Sequence, residues 1–207
     1  MKEKCIFIIG PESSGSTLIA KIISTALNGT DDWNGRGFNC CNSASCDREN
    51  GFMSPCGEVK HLVCHRSLPF FLEPEWPPIE DWKAKYDASF IICTRDATIA
   101  ERSVAERFKR NAKTISEQQN RAKQIISELL KSESKSFIWS YETFMYLQED
   151  YLQLLFDFLK LESDYELKSL RDANFKYIKT GIVSEGANGQ KDGISSVIKK
   201  AIKRISN

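Results

Sequence analysis

The sequence has little of what would classify it at a glance. It holds only two histidines, His61 and His65, so a histidine general base has two places to come from. It has no excess of charge of one sign: 29 Lys and Arg stand against 28 Asp and Glu, a net charge of +1. That excludes a broad nucleic-acid-binding or membrane-surface field and leaves room only for a local basic pocket. It has no long apolar run. The first one, Cys5 to Ile9, is too short for a membrane span or the core of a secretory signal. The expectation is therefore a cytoplasmic protein without a membrane span. Internal repeats and low-complexity tracts are absent too.

What is present suits one compact domain over residues 1–207, since 207 residues with 41% hydrophobic side chains can bury a full core. Cys5-Ile6-Phe7-Ile8-Ile9 is apolar without alternation, the mark of a strand covered on both faces. A glycine-bounded loop follows. Ser16 to Leu27 then places Leu18, Ile19, Ile22, Ile23 and Ala26 at helical spacing. Val59 to Cys64 reads as a second strand, ending at His65-Arg66-Ser67-Leu68-Pro69. Phe90 to Cys93 reads as a third, ending at Thr94-Arg95-Asp96, and Phe137 to Trp139 as a fourth. Helices are expected over about Ala97–Arg110, Ile115–Lys131 and Asp150–Lys160. Strands alternating with helices predict an α/β fold of three layers, a mostly parallel sheet flanked by helices. Residues 28–57 form a Cys-rich insertion with no period. The tail from Ser163 to Asn207 holds a Gly/Asn-rich loop and a basic C-terminal helix.

The spacing Gly10-x4-Gly15-Ser16-Thr17 is that of a phosphate-binding loop with one substitution. Backbone N–H groups and a helix N-terminus make an anion site, and Ser14, Ser16 and Thr17 add hydroxyls. Ser16 stands where a nucleoside-triphosphate site needs the lysine that reaches the β- and γ-phosphates. The alternative is a glycine turn whose Ser and Thr merely cap a helix.

Three segments together resemble the sulfotransferases that use 3′-phosphoadenosine 5′-phosphosulfate. Ser14-Gly15-Ser16-Thr17 after its strand is similar to that family's loop around the 5′-phosphosulfate. Phe90 to Asp96, with Ser103 eight residues after Arg95, is similar to its 3′-phosphate site. Trp139-Ser140-Tyr141-Glu142 and the later Phe158-Leu159-Lys160-Leu161 resemble two further family segments. The likeness spans about Lys4 to Leu161 and implies a P-loop-like fold. It implies that Ser13, Ser14, Gly15, Ser16, Thr17, Arg95 and Ser103 bind the nucleotide. It also implies sulfuryl transfer to a hydroxyl or amine of a small molecule or glycan, releasing adenosine 3′,5′-bisphosphate without a metal. His65-Arg66-Ser67-Leu68-Pro69 resembles the family segment carrying the base. The expectation is His65 as base and Arg66 as charge partner of the sulfuryl group, with Glu12 and Glu142 as reserve bases.

The chain departs from the family at Ser13, where a Lys or Arg would stabilise the leaving phosphate. Arg66, Lys176 and Lys179 are the cations offered instead. Cys40, Cys41, Cys46 and Cys56 crowd into the insertion, but they lack the paired spacing of a zinc site. They stand as thiols of a segment shaping the acceptor pocket, with zinc or disulfides as the other readings. Two rival functions remain: a P-loop kinase of a small molecule, and a nucleotide-binding protein that has lost transfer.

Overall fold

A computed structural model describes residues 2–29, 39–40, 62–68 and 83–178. The insertion apart from residues 39–40, the loop after Leu68, His61, the Gly/Asn-rich loop and the basic C-terminal segment lie outside the described residues. The chain divides into two compact units, Met1–Asp172 and Ala173–Asn207.

The first unit is a five-stranded sheet, all of whose pairings are parallel, with helices on both faces. Its elements are β1 (Glu3–Pro11), α1 (Ser16–Asn28), β2 (Asn39–Cys40), β3 (Leu62–Leu68), β4 (Tyr86–Thr94), α2 (Ala97–Phe108) and α3 (Ala112–Lys131), followed by β5 (Ser136–Ser140), α4 (Tyr141–Leu147) and α5 (Glu149–Leu159). The strand order is β2-β3-β1-β4-β5. This is the expected three-layer α/β architecture. In the second unit, the described residues form one short helix, α6 (Phe175–Ile178). Among the described residues, no helix is long and apolar enough to cross a membrane.

The two-residue period of a strand sorts the core. Cys5, Phe7 and Ile9 of β1 face one side, where they join Phe90, Ile92 and the stripe Ala122, Ile125 and Leu129 of α3. Ile8 faces the other side with Val63, Ile91 and Cys93, against Ile19, Ile22 and Ile23 of α1. Trp139, Phe144 and the Leu152, Leu155 and Phe156 stripe of α5 extend that second layer. Strands buried on both faces have no polar side to spare, which is why the centres of β1 and β4, Cys5–Ile9 and Phe90–Cys93, read as unbroken apolar runs.

Three differences from the sequence reading, beyond shifts of a few residues at element ends, bear on the site. β3 does not end at Cys64; it runs on to Leu68, since β1 also continues through Gly10 and Pro11 and the ladder pairs Ile8 with His65 and Ile9 with Arg66. His65 is thus an interior strand residue and not a strand end. β2 arises inside the segment read as irregular, pairing Asn39 with Cys64 and Cys40 with His65 at the sheet edge. α4 is a helix of seven residues, too short to show a period, and Gln148 at φ 47° separates it from α5.

Candidate functional site

β1 is flanked by β3 and β4, and the chain leaves β3 on one side to return as β4 on the other. Such a reversal of strand order opens a crevice at the carboxyl ends of the strands, where open α/β sheets hold ligands. The loop after β1 and the Thr94-Arg95-Asp96 end of β4 meet at that crevice.

The loop is shaped by two glycines with separate reasons. A Cβ on Gly10 would stand 2.5 Å from the Cys93 carbonyl oxygen and 2.6 Å from Ser14 Oγ. Gly15 has φ +86°, and a Cβ there would stand 2.6 Å from the Tyr141 ring. Ser13 also adopts positive φ, at 65°, without being glycine. That conformation costs an L residue roughly 1–2 kcal/mol and persists where surrounding contacts enforce it. Arg95 supplies such a contact, donating from Nη1 to the Ser13 carbonyl at 3.0 Å. Its guanidinium also lies 4.6 Å from the centre of the Tyr141 ring. The clasp runs Ser13–Arg95–Tyr141–Gly15, tying the loop to the ends of β4 and β5.

Tyr141 is itself held in place. Ser140 Oγ caps α4 by accepting from the Thr143 N–H, and the Tyr151 hydroxyl donates to the Ile138 carbonyl while accepting from the Ser140 N–H. Glu142 accepts from the Asp96 N–H at 3.0 Å, fixing the residue next to Arg95.

α1 and α5 start without a side-chain cap, unlike α2, α3 and α4. Asp96, Asn111 and Ser140 cap α2, α3 and α4 through their side chains. α1 begins on Gly15 with no side-chain cap. The Ser and Thr of the loop therefore do not act as caps. The first N–H groups of a helix have no intrahelical partner and carry the positive end of its dipole. Beside them, the Ser13 and Ser14 hydroxyls are buried with no hydrogen-bond partner among the described residues. Buried hydroxyls are normally satisfied, so their presence next to uncapped N–H groups marks a place for an acceptor-rich anion.

His65 lies on the α1 side of the sheet, two residues beyond Val63. It is 1% exposed, and its Nε2 is 2.8 Å from Ser16 Oγ. Loss of solvation lowers its pKa to about 4, so the ring is neutral at neutral pH. The tautomer decides what Ser16 offers. If Nε2–H donates, the Ser16 hydroxyl hydrogen is left for a ligand; if Nε2 accepts, that hydrogen is used internally.

The structure thus brings Ser13, Gly15 and Arg95 together, and separately Ser16 with His65. Thr17 follows in the first turn of α1, part exposed. Ser103 sits two helical turns along α2 from Arg95 and is 2% exposed, so its hydroxyl is not presented to solvent. Arg66 pairs with Ile9 in the ladder; its side chain and Lys179 lie outside the described residues. Both reserve bases are engaged: Glu142 as above, and Glu12 in an ion pair with Arg110, which also donates to Gln118. Glu12 therefore brings no uncompensated negative charge to the loop. Tyr141 and Arg110 are the site residues that sequence reasoning missed as loop partners. Tyr141 lies in a segment already singled out, but nothing local marks Arg110.

Gly10→Ala is expected to destabilise the fold by about 2–3 kcal/mol, as overpacking against backbone does. Gly15→Ala adds positive-φ strain to a ring clash and should also weaken anion binding. Urea denaturation with phosphate titration checks both; full stability and full binding in Gly15→Ala would refute the clasp.

The sequence matches no protein-family model and no curated protein.

Proposed function

We propose that this chain is a sulfotransferase that moves a sulfuryl group from 3′-phosphoadenosine 5′-phosphosulfate to a hydroxyl or amine of a small molecule or glycan. The observation that carries the reading is the meeting of two anion-binding elements at one crevice. The uncapped α1 start with its unsatisfied serines faces one phosphate, and Arg95 at the end of the adjoining strand reaches the same loop. Two phosphates on one ribose suit two such elements, and Ser16 in place of lysine argues against a triphosphate.

In this reading the residues work as follows. The loop N–H groups and the Ser14 hydroxyl hold the 5′-phosphosulfate, the Ser16 hydroxyl keeps its hydrogen on His65 Nε2, and Arg95 holds the 3′-phosphate, with Ser103 behind it on α2. The acceptor oxygen attacks sulfur, the bond from sulfur to the phosphate oxygen breaks, and adenosine 3′,5′-bisphosphate leaves. The acceptor proton passes to Ser16 Oγ as the Ser16 proton passes to His65 Nε2. A base whose conjugate acid is held near pH 4 is weak, so positioning and charge supply most of the rate. Arg66 is the cation assigned to the charge developing on the sulfuryl group.

A second reading, nucleotide binding without transfer, draws on one observation. The position where a leaving-phosphate cation is expected is Ser13, and Arg95 reaches its carbonyl. One titration separates the readings. Saturable binding of adenosine 3′,5′-bisphosphate in EDTA is expected, with ATP and magnesium binding more weakly. The reverse preference would sink the sulfotransferase and favour the kinase. Bisphosphate binding without its release from the sulfated donor, across phenol, alcohol and sugar acceptors, would leave the second reading.

A further inference from the structure

A groove of about 490 Å³ opens beside the loop, between the start of α2 and the outer flank of α3. Its volume lies within the usual range for small-molecule sites, roughly 300–1,000 Å³. Pro11, Ala97, Ala100, Ile126 and Leu130 give it apolar walls. Leu130 is 46% exposed although its neighbour Leu129 is fully buried, so α3 presents a large aliphatic side chain to this groove and not to the core. Lys123, Ile126, Ser127 and Leu130 repeat at helical spacing and form one continuous wall.

The charge of the lining is one-sided. Over the whole chain, 29 cationic residues face 28 anionic ones, yet the lining contains Arg95, Lys123 and Lys131 and no carboxylate. At the loop end it contains Ser14, a residue 1% exposed whose buried hydroxyl lacks a partner among the described residues. Aliphatic walls, cations along the edge and an unsatisfied hydroxyl at one end are complementary to one kind of ligand.

We propose that this groove binds an aliphatic anion, a hydrocarbon body with a single carboxylate- or sulfate-type head. The body lies along Ile126 and Leu130, and the head is met by Arg95 and Lys123. The site does not depend on which nucleotide occupies the loop. Because Ser14 and Arg95 belong to both, an aliphatic anion and a loop-bound phosphate should compete.

The test is calorimetric titration of the full chain with octanoate, decanoate and dodecanoate below their micellar concentrations. The expected result is saturable one-to-one binding that tightens by roughly threefold to fourfold per added methylene. Lys123→Glu and Leu130→Glu both change exposed side chains, so the fold should survive; circular dichroism checks this. Each should weaken decanoate at least tenfold and leave thermal stability within a few degrees. Inorganic phosphate should weaken decanoate in the wild type. Decyltrimethylammonium binding as well as decanoate would overturn the charge assignment. Non-saturable binding, or decanoate affinity unchanged in both folded variants, would overturn the site.

Discussion

Arg95→Ala should lower the affinity for adenosine 3′,5′-bisphosphate by about 100-fold or more, and that for adenosine 5′-phosphate by only about tenfold. The larger effect follows from charge-assisted hydrogen bonds, worth roughly 1.5–3 kcal/mol each, two of which a guanidinium can make to one phosphate. Each 1.4 kcal/mol is about a factor of ten. The smaller effect follows from the structure. Arg95 also holds the Ser13 carbonyl and stacks on Tyr141, so its removal loosens the loop for any phosphate ligand. Arg95→Lys separates the two contributions. A lysine keeps the charge but has neither the planar stack nor the fork, so it should restore only part of the bisphosphate affinity. Calorimetric titration of both nucleotides against both variants reads this directly. Equal losses for the two nucleotides would reduce Arg95 to a loop clamp and remove the second phosphate site.

Acid should destabilise the protein through His65, on the order of 3 kcal/mol between neutral pH and the foot of the transition. The ring is buried and its pKa is lowered from 6.5 to about 4. The unfolded chain therefore binds a proton that the folded chain refuses between those values, and stability falls as protons are added. The contribution is present in full above pH 6.5, declines as pH falls below it, and is gone near pH 4. A shift of one pKa unit corresponds to about 1.4 kcal/mol. Carboxylates titrate in the same range, so the measurement is a comparison with His65→Gln, which keeps a hydrogen-bonding group near Ser16 and removes the titration. Urea denaturation at pH 7 and pH 4.5 should show a smaller acid loss in the variant. Parallel pH profiles would mean that His65 takes up its proton in the folded state. Retention of bisphosphate binding with loss of transfer in the same variant would fit the relay through Ser16.

Much of the architecture was legible in the sequence because burial on both faces leaves apolar runs that nothing else explains. Cys5 to Ile9 and Phe90 to Cys93 are the clearest, and the stripes on α1, α3 and α5 fall at the residues that pack. β3 was legible only in part, since His65, Arg66 and Ser67 break the apolar pattern while their backbone continues the ladder. The glycines at 10 and 15 were visible as a spacing, but the reason for each lies elsewhere in the chain, in Cys93 and Tyr141. The partner of Glu12 is Arg110, 98 residues away, and no local pattern joins two such positions. His65 was legible as a rare residue near a strand end; only the pairing of β3 with β1 shows that it lies beneath the loop, with Ser16 as its partner.

The central position of β1 also governs when the site can exist during synthesis. β1 is made before both of its partners, residues 62–68 on one side and 86–94 on the other. One edge waits for residues 62–68 and the other for residues 86–94, and pairings at such separations form slowly. The loop takes its shape later still, since Arg95 must reach the Ser13 carbonyl and Tyr141 must settle on Gly15. A nascent or truncated chain ending before Tyr141 has every hydroxyl of the loop but lacks the ring that packs on Gly15 and Arg95. The proposed anion site is thus a property of the nearly complete first unit, and the loop takes its shape only after residues far downstream of it have been made.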